Sequence, residues 1–170
     1  QPARAMLLYG PPGTGKSMLA RAVANEIDAA FFETSCAQLI SRWVGESEKL
    51  MNTLFASAQK AAPSVLFLDE IDSIASSRET GKTSSLADQR LTNQLLLEMD
   101  AALQAEGLVF VLAATNLPWQ LDPAALRRFA KRVYVGLPGL EARRQMFVDG
   151  LGEMCCLDAE EYDDLAQRTD

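Results

Sequence analysis

Gly10-Pro11-Pro12-Gly13-Thr14-Gly15-Lys16-Ser17 decides the fold of this chain. The stretch has the spacing Gly-x4-Gly-Lys-Ser, follows the apolar run Met6-Leu7-Leu8-Tyr9, and opens a segment of helical periodicity from Lys16 to Ile27. Glycines at such a strand-to-helix turn let the backbone curl until successive N–H groups point at a common centre, and the following helix adds the positive end of its dipole. The loop is therefore a phosphate cradle, with Pro12, Gly13, Thr14, Gly15, Lys16, Ser17 and Met18 as candidate contacts. Within that set the Lys16 ammonium suits the β- and γ-phosphates of a nucleoside triphosphate, and the Ser17 hydroxyl suits the accompanying Mg2+.

On either side of this loop, short apolar runs alternate with segments of helical spacing, the mark of an α/β chain with a parallel sheet covered by helices. Expected strands are Met6 to Tyr9, Ala30 to Glu33, Val65 to Asp69, Leu108 to Ala114 and Arg132 to Val135. Their continuous apolar runs predict burial on both faces. Glu48 to Ala61 repeats Leu50, Met51, Leu54, Phe55 and Ala58 at helical spacing, and Leu86 to Met99 repeats Leu91, Leu95 and Met99. Ala62-Pro63 should end the first of these just ahead of the third strand. The polar run from Ser76 to Ser85 reads as a loop. With 170 residues, 48% hydrophobic and 23% charged, the chain is expected to fold as one domain.

The third strand, Val65-Leu66-Phe67-Leu68, ends abruptly in Asp69-Glu70. Asp69 is placed to hold Mg2+ together with Ser17, and Glu70 to polarise an attacking water as general base. No Asn-Lys-x-Asp guanine-reading sequence occurs, so the reading is ATP hydrolysis, with ATP and Mg2+ as the cofactors.

Residues 111 to 135, Val-Leu-Ala-Ala-Thr-Asn116-Leu-Pro-Trp-Gln-Leu-Asp-Pro-Ala-Ala-Leu-Arg127-Arg128-Phe-Ala-Lys-Arg-Val-Tyr-Val, resemble the second region of homology of AAA ATPases. The resemblance implies the large ATPase subdomain of an AAA+ protein, a P-loop NTPase fold with a five-stranded parallel sheet between helices. It places the water-positioning residue at Asn116 and gives Arg127 and Arg128 to a neighbouring subunit's site. Arg42-Trp43-Val44-Gly45-Glu46-Ser47-Glu48 resembles the first pore loop of the branch holding katanin, spastin, fidgetin and the ATPase that disassembles ESCRT-III filaments. Arg42, Trp43 and Val44 would then grip an extended protein substrate, Arg78 and Lys82 in a second pore loop would meet acidic tails such as those of tubulin, and Arg90 would make a contact between subunits. The implied machine is a hexameric homo-oligomer, closest to katanin-like proteins, that severs microtubules in the cytoplasm, with the nucleus as a second location. Filament disassembly is the near alternative.

Charge and cysteine content narrow the field further. Net charge is -7, but residues 151 to 170 carry seven acids against Arg168 alone, leaving the rest near neutral. Arg127, Arg128, Lys131, Arg132, Arg143 and Arg144 form a basic cluster whose partners are phosphate, a second subunit, or solvent. No recognition motif accompanies it, so nucleic acid is not an expected partner. Cys36, Cys155 and Cys156, with no histidine, provide neither a disulfide framework nor a zinc set. No signal pattern and no apolar run of about 18 residues argues for membrane insertion. The resemblance further implies an adenine-pocket segment before residue 1 and a small helical subdomain after residue 170, so the 170-residue piece is expected to bind ATP weakly and hydrolyse it poorly.

Two readings of other classes fit part of the pattern. A P-loop kinase would also use a phosphate loop, with paired arginines as a lid, although it has no need of Trp43-Val44-Gly45 or of Asn116 at the next strand end. A nucleotide-gated assembly module would bind ATP and scaffold a ring without turnover.

Overall fold

In a computed structural model of the chain, residues 4–40, 46–76, 86–152, 155 and 157–169 are described. They group into two compact units, Gln1–Val135 and Gly136–Asp170.

The first unit is built on five parallel strands, β1 (Ala5–Tyr9), β2 (Ala30–Ser35), β3 (Ser64–Asp69), β4 (Val109–Thr115) and β5 (Lys131–Tyr134), in the order β2-β3-β4-β1-β5. Between them run α1 (Lys16–Glu26), α2 (Cys36–Ile40), α3 (Glu46–Lys60), α4 (Leu86–Gln104) and the short α5 (Pro123–Leu126). The period of two along each strand sorts the core. Leu8, Val65, Phe67, Leu112 and Ala114 point to one face, where Ala20 and Ala24 of α1 cover them. Leu7, Leu66, Leu68, Val111 and Ala113 point to the other, against Leu39, Met51, Phe55, Leu91, Leu95 and Met99. The small alanines of α1 allow the helix that carries Lys16 to lie close on the sheet.

Burial on both faces holds for β1, β3 and β4 and fails for β2 and β5. Those two are edge strands. β5 is exposed along its whole length, and the apolar character of Val133 and Tyr134 reflects strand propensity rather than burial. Leu108 lies outside β4, with 47% of its surface exposed, and Val135 follows β5. α4 runs five residues past the expected Met99, because Ala102 is also buried under the sheet.

The second unit holds α6 (Leu140–Leu151) and α7 (Ala159–Arg168). Asp158 and Glu161 form a reciprocal capping box at the start of α7. Neither helix is long and apolar enough to cross a membrane, which holds for every helix among the described residues.

Phe55 is fully buried beneath the sheet, whereas 73% of Trp119 is exposed. Phe55→Ala is expected to lower unfolding free energy by about 3–5 kcal/mol and Trp119→Ala by no more than about 0.5 kcal/mol, as read by urea titration followed by circular dichroism.

Candidate nucleotide site

Parallel strands send all their carboxyl ends to one edge, and the site forms there because the connections leaving β1, β3 and β4 begin at that edge. Gly10 leaves β1 with φ 151°, a conformation that side chains avoid; an added Cβ would lie 2.1 Å from the Val135 carbonyl oxygen. Gly13 and Gly15 take left-handed φ values of 76° and 83°, which turns the intervening amides inward. Gly15 is the N-cap of α1 and supplies no side-chain cap, so the helix presents its first amides to the loop.

Pro12, Gly13, Thr14, Gly15, Lys16, Ser17 and Met18 line a cleft of about 350 Å³, and Asp69, Glu70 and Asn116 complete its wall. The fold therefore brings together every residue that the sequence assigns to phosphate, metal and water. Lys16 is buried, and its Nζ donates to the carbonyls of Gly10 at 3.0 Å and Pro11 at 2.7 Å. Burial pulls its ammonium below the usual lysine range, and the nearby Asp69 carboxylate opposes that shift. These carbonyl contacts hold the ammonium in the cradle, from which a triphosphate would draw it.

Ser17 Oγ donates to Asp69 Oδ2 at 3.2 Å. A hydroxyl and a carboxylate oxygen converging at the head of a phosphate loop would offer Mg2+ the oxygen donors it takes. Glu70 stands next to them with φ 52° and ψ 45°, a left-handed conformation that costs a non-glycine residue of order 1–3 kcal/mol. The turn separates its carboxylate from that of Asp69, and Ser35 Oγ at the end of β2 donates to Glu70 Oε2 at 2.9 Å. Sequence reasoning missed Ser35. A polar residue closing an apolar strand was the available signal, but only the pairing of β2 with β3, Ser35 opposite Asp69, sets it beside the acid pair.

Asn116 follows β4 with its side chain exposed and, among the described residues, without a hydrogen-bond partner. Arg127 and Arg128 lie beyond α5, whose N-terminus Asp122 caps by accepting from the Ala124 amide at 2.7 Å. The two arginines differ. Arg128 Nε and one terminal nitrogen donate to both oxygens of Asp100, at 2.9 and 2.7 Å, and its other terminal nitrogen donates to the Ala124 carbonyl at 2.7 Å. Arg127 is exposed and, among the described residues, has no side-chain partner. Neither lines the cleft of this chain.

Two members of the basic cluster have partners within the second unit. Arg143 donates to the carbonyls of Ala166 and Pro138, and Arg144 pairs with Asp163, all within the second unit. Arg90 is exposed on α4. Arg42, Trp43, Val44, Arg78 and Lys82, assigned to pore loops, lie outside the described residues, as does Cys156. Among the described residues no cluster of cysteine and acidic side chains forms a separate metal site.

A parallel sheet that closes a glycine loop, a helix N-terminus and two strand-end carboxylates around one cleft defines the class of P-loop nucleotide-binding proteins. The model of the AAA family, described as the ATPase family associated with various cellular activities, matches residues 6–137, and the chain belongs to that family. It is 51% identical over 153 residues to Protein SUPPRESSOR OF K(+) TRANSPORT GROWTH DEFECT 1 of Arabidopsis thaliana, covering 90% of this chain and 35% of that protein. It is 50% identical over 146 residues to the A-like 2 form of the katanin p60 ATPase-containing subunit of Xenopus tropicalis, covering 85% of this chain and 27% of that protein. The crystal structure of the FIGL-1 AAA domain in complex with ADP matches with a TM-score of 0.88 at 40% identity, over 99% of this chain and 56% of that one. The chain spans about a third of the length of these curated relatives.

Cys36 lies against the floor of this acid edge, fully buried, with its thiol pushed up to about 12 by burial first and then by Asp69, Asp72 and Glu70. A thiol so placed has almost no thiolate at neutral pH and no access to reagent. Iodoacetamide at mildly alkaline pH is expected to label the exposed Cys155 and to reach Cys36 only after unfolding, as read by peptide mass spectrometry.

Proposed function

We propose that this chain is the ATP-hydrolysing core of an oligomeric protein remodeller whose active sites are completed across subunits. The observation that carries this reading is the single cleft shared by the phosphate loop, Asp69, Glu70 and Asn116. The loop amides and Lys16 bind and orient the triphosphate. Ser17 and Asp69 would hold Mg2+, which when bound neutralises charge on the β- and γ-phosphate oxygens. Glu70 accepts the proton of the attacking water, and Asn116 holds that water in line with the bond to be broken.

The arginines support completion in trans. Arg127 and Arg128 sit outside the chain's own cleft, and a charge-stabilising arginine from a neighbour is worth on the order of a thousandfold or more in rate. Arg127, exposed and without a side-chain partner among the described residues, is the one placed to reach, since Arg128 is tied to Asp100 by a partly exposed pair. Its two bonds to the carboxylate and the third to the Ala124 carbonyl hold Arg128 toward α4.

At the finer level we assign the assembled protein to microtubule severing, as a hexamer that draws an extended acidic tail past Arg42, Trp43 and Val44. The similarity to a katanin p60 ATPase-containing protein favours this over filament disassembly of the ESCRT-III type. Acting on such a substrate would place it in the cytoplasm, associated with the cytoskeleton.

ATPase rate against protein concentration tests the reading, in a chain extended to the length of the relatives. Specific activity is expected to rise steeply with concentration, with Glu70→Gln and Arg127→Ala each inactive alone and partly restored on mixing. A rate strictly proportional to concentration, with Arg127→Ala equal to wild type, would establish a self-contained site of the kinase or switch kind. Stimulation by microtubules, lost when the tubulin tails are removed, would support severing, and stimulation by ESCRT-III-type filaments alone would replace it.

A further inference from the structure

We propose that Asp72 is a positioning residue for hydrolysis, acting through the Thr115 hydroxyl to hold Asn116 over the cleft; this rests on the role given to Asn116 above. Asp72 lies in the 3₁₀ turn Ile71–Ser73 that follows the acid pair. Thr115 is the last residue of β4 and is 1% exposed. Thr115 Oγ1 donates to Asp72 Oδ1 at 2.5 Å and accepts from the Leu117 amide at 2.9 Å. The hydroxyl therefore has its proton direction set by Asp72 and its lone pair used by the amide two residues on. That second bond closes a side-chain turn whose apex is Asn116. The direction in which the carboxamide leaves the backbone is fixed by a turn that Asp72 orients.

Thr115 is also joined to the phosphate loop, since its carbonyl accepts from the Gly10 amide at 3.4 Å. One buried threonine thus ties the start of the loop, the turn after Glu70 and the turn bearing Asn116. Neither Asp72 nor Thr115 lines the cleft, so any effect on turnover must pass through the groups they hold.

A purely structural role would be to fasten the connection after β4 to the body of the unit. That connection is fastened elsewhere. Ser76 forms an antiparallel bridge with Leu121, and the Asp122 amide donates to the Ala75 carbonyl at 2.7 Å. Loss of the Asp72 contact would release only the end that carries Asn116, and a shift of about 1 Å in a group that aligns the attacking water is enough to cost ten- to a hundredfold in rate.

The test uses the assembled enzyme in which Asn116→Ala is measured beside the variants of this contact. Thr115→Val removes the hydroxyl at nearly constant volume, Asp72→Ala removes its partner, and Thr115→Ser and Asp72→Asn keep an oxygen in each place. Thr115→Val and Asp72→Ala are expected to lower kcat roughly tenfold, with affinity for a fluorescent ADP within about twofold of wild type. Thr115→Ser and Asp72→Asn should recover most of the rate, and Thr115→Val should add little to Asn116→Ala. Full kcat in Thr115→Val and Asp72→Ala alongside a slow Asn116→Ala would overturn the proposal and leave the role of Asn116 intact. A wild-type rate in Asn116→Ala would overturn the role of Asn116 and this proposal with it. Equal losses of kcat, ADP affinity and melting temperature, unrescued by Thr115→Ser, would reduce the contact to a structural tie. If Thr115→Val does not fold, Asp72→Ala and its Asn counterpart decide the same question.

Discussion

The site depends on the burial of β3. From Ser64 to Leu68 the strand has neighbours on both sides and helices on both faces, and it is 1% exposed or less throughout. A strand so enclosed cannot tolerate an unpaired charge, so its first ionised residues can stand only where it emerges. They emerge at the edge where α1 begins, and the contact between Ser17 and Asp69 is the direct result. Metal and phosphate chemistry can then share one cleft because two elements distant in sequence end at the same level of one sheet.

Three glycines and Glu70 hold positive φ at this edge, and Asp28, between α1 and β2, does so away from it. Glycine carries such conformations at little cost in the phosphate loop. Glu70 does so at a real cost, which the surrounding fixed elements sustain: Ile71 is fully buried on one side, and Ser35 and Ser73 bond the residue on the other. In the roles proposed for the two acids, a carboxylate turned out of line with its neighbour would act on water while Asp69 would serve the metal, and the left-handed turn at Glu70 is the backbone basis for that division.

The region after β4 extends this logic outward. Its near end carries Asn116 and its far end, through the cap at Asp122, carries Arg127 and Arg128. Both ends are bonded to the segment that follows Glu70, Thr115 to Asp72 and Asp122 to Ala75. One short connection thus joins Asn116, proposed to hold the attacking water, to the arginines proposed for a neighbouring site.

The sequence by itself determined the α/β class, the five parallel strands, the phosphate loop and the acid pair, because each rests on local spacing: glycines before a helix, or an apolar run that stops at a charge. The capping box of Asp158 and Glu161, and the helix α7 that it opens, went unread in the sequence. Tertiary structure decided what spacing cannot carry. Strand order made β2 and β5 edges despite their apolar residues, pairing set Ser35 beside Glu70, and packing against α4 gave Arg128 a partner while Arg127 has none among the described residues. In the same way, Asp72 and Thr115 are 43 residues apart and chemically ordinary, and they meet only because β3 and β4 are hydrogen-bonded neighbours.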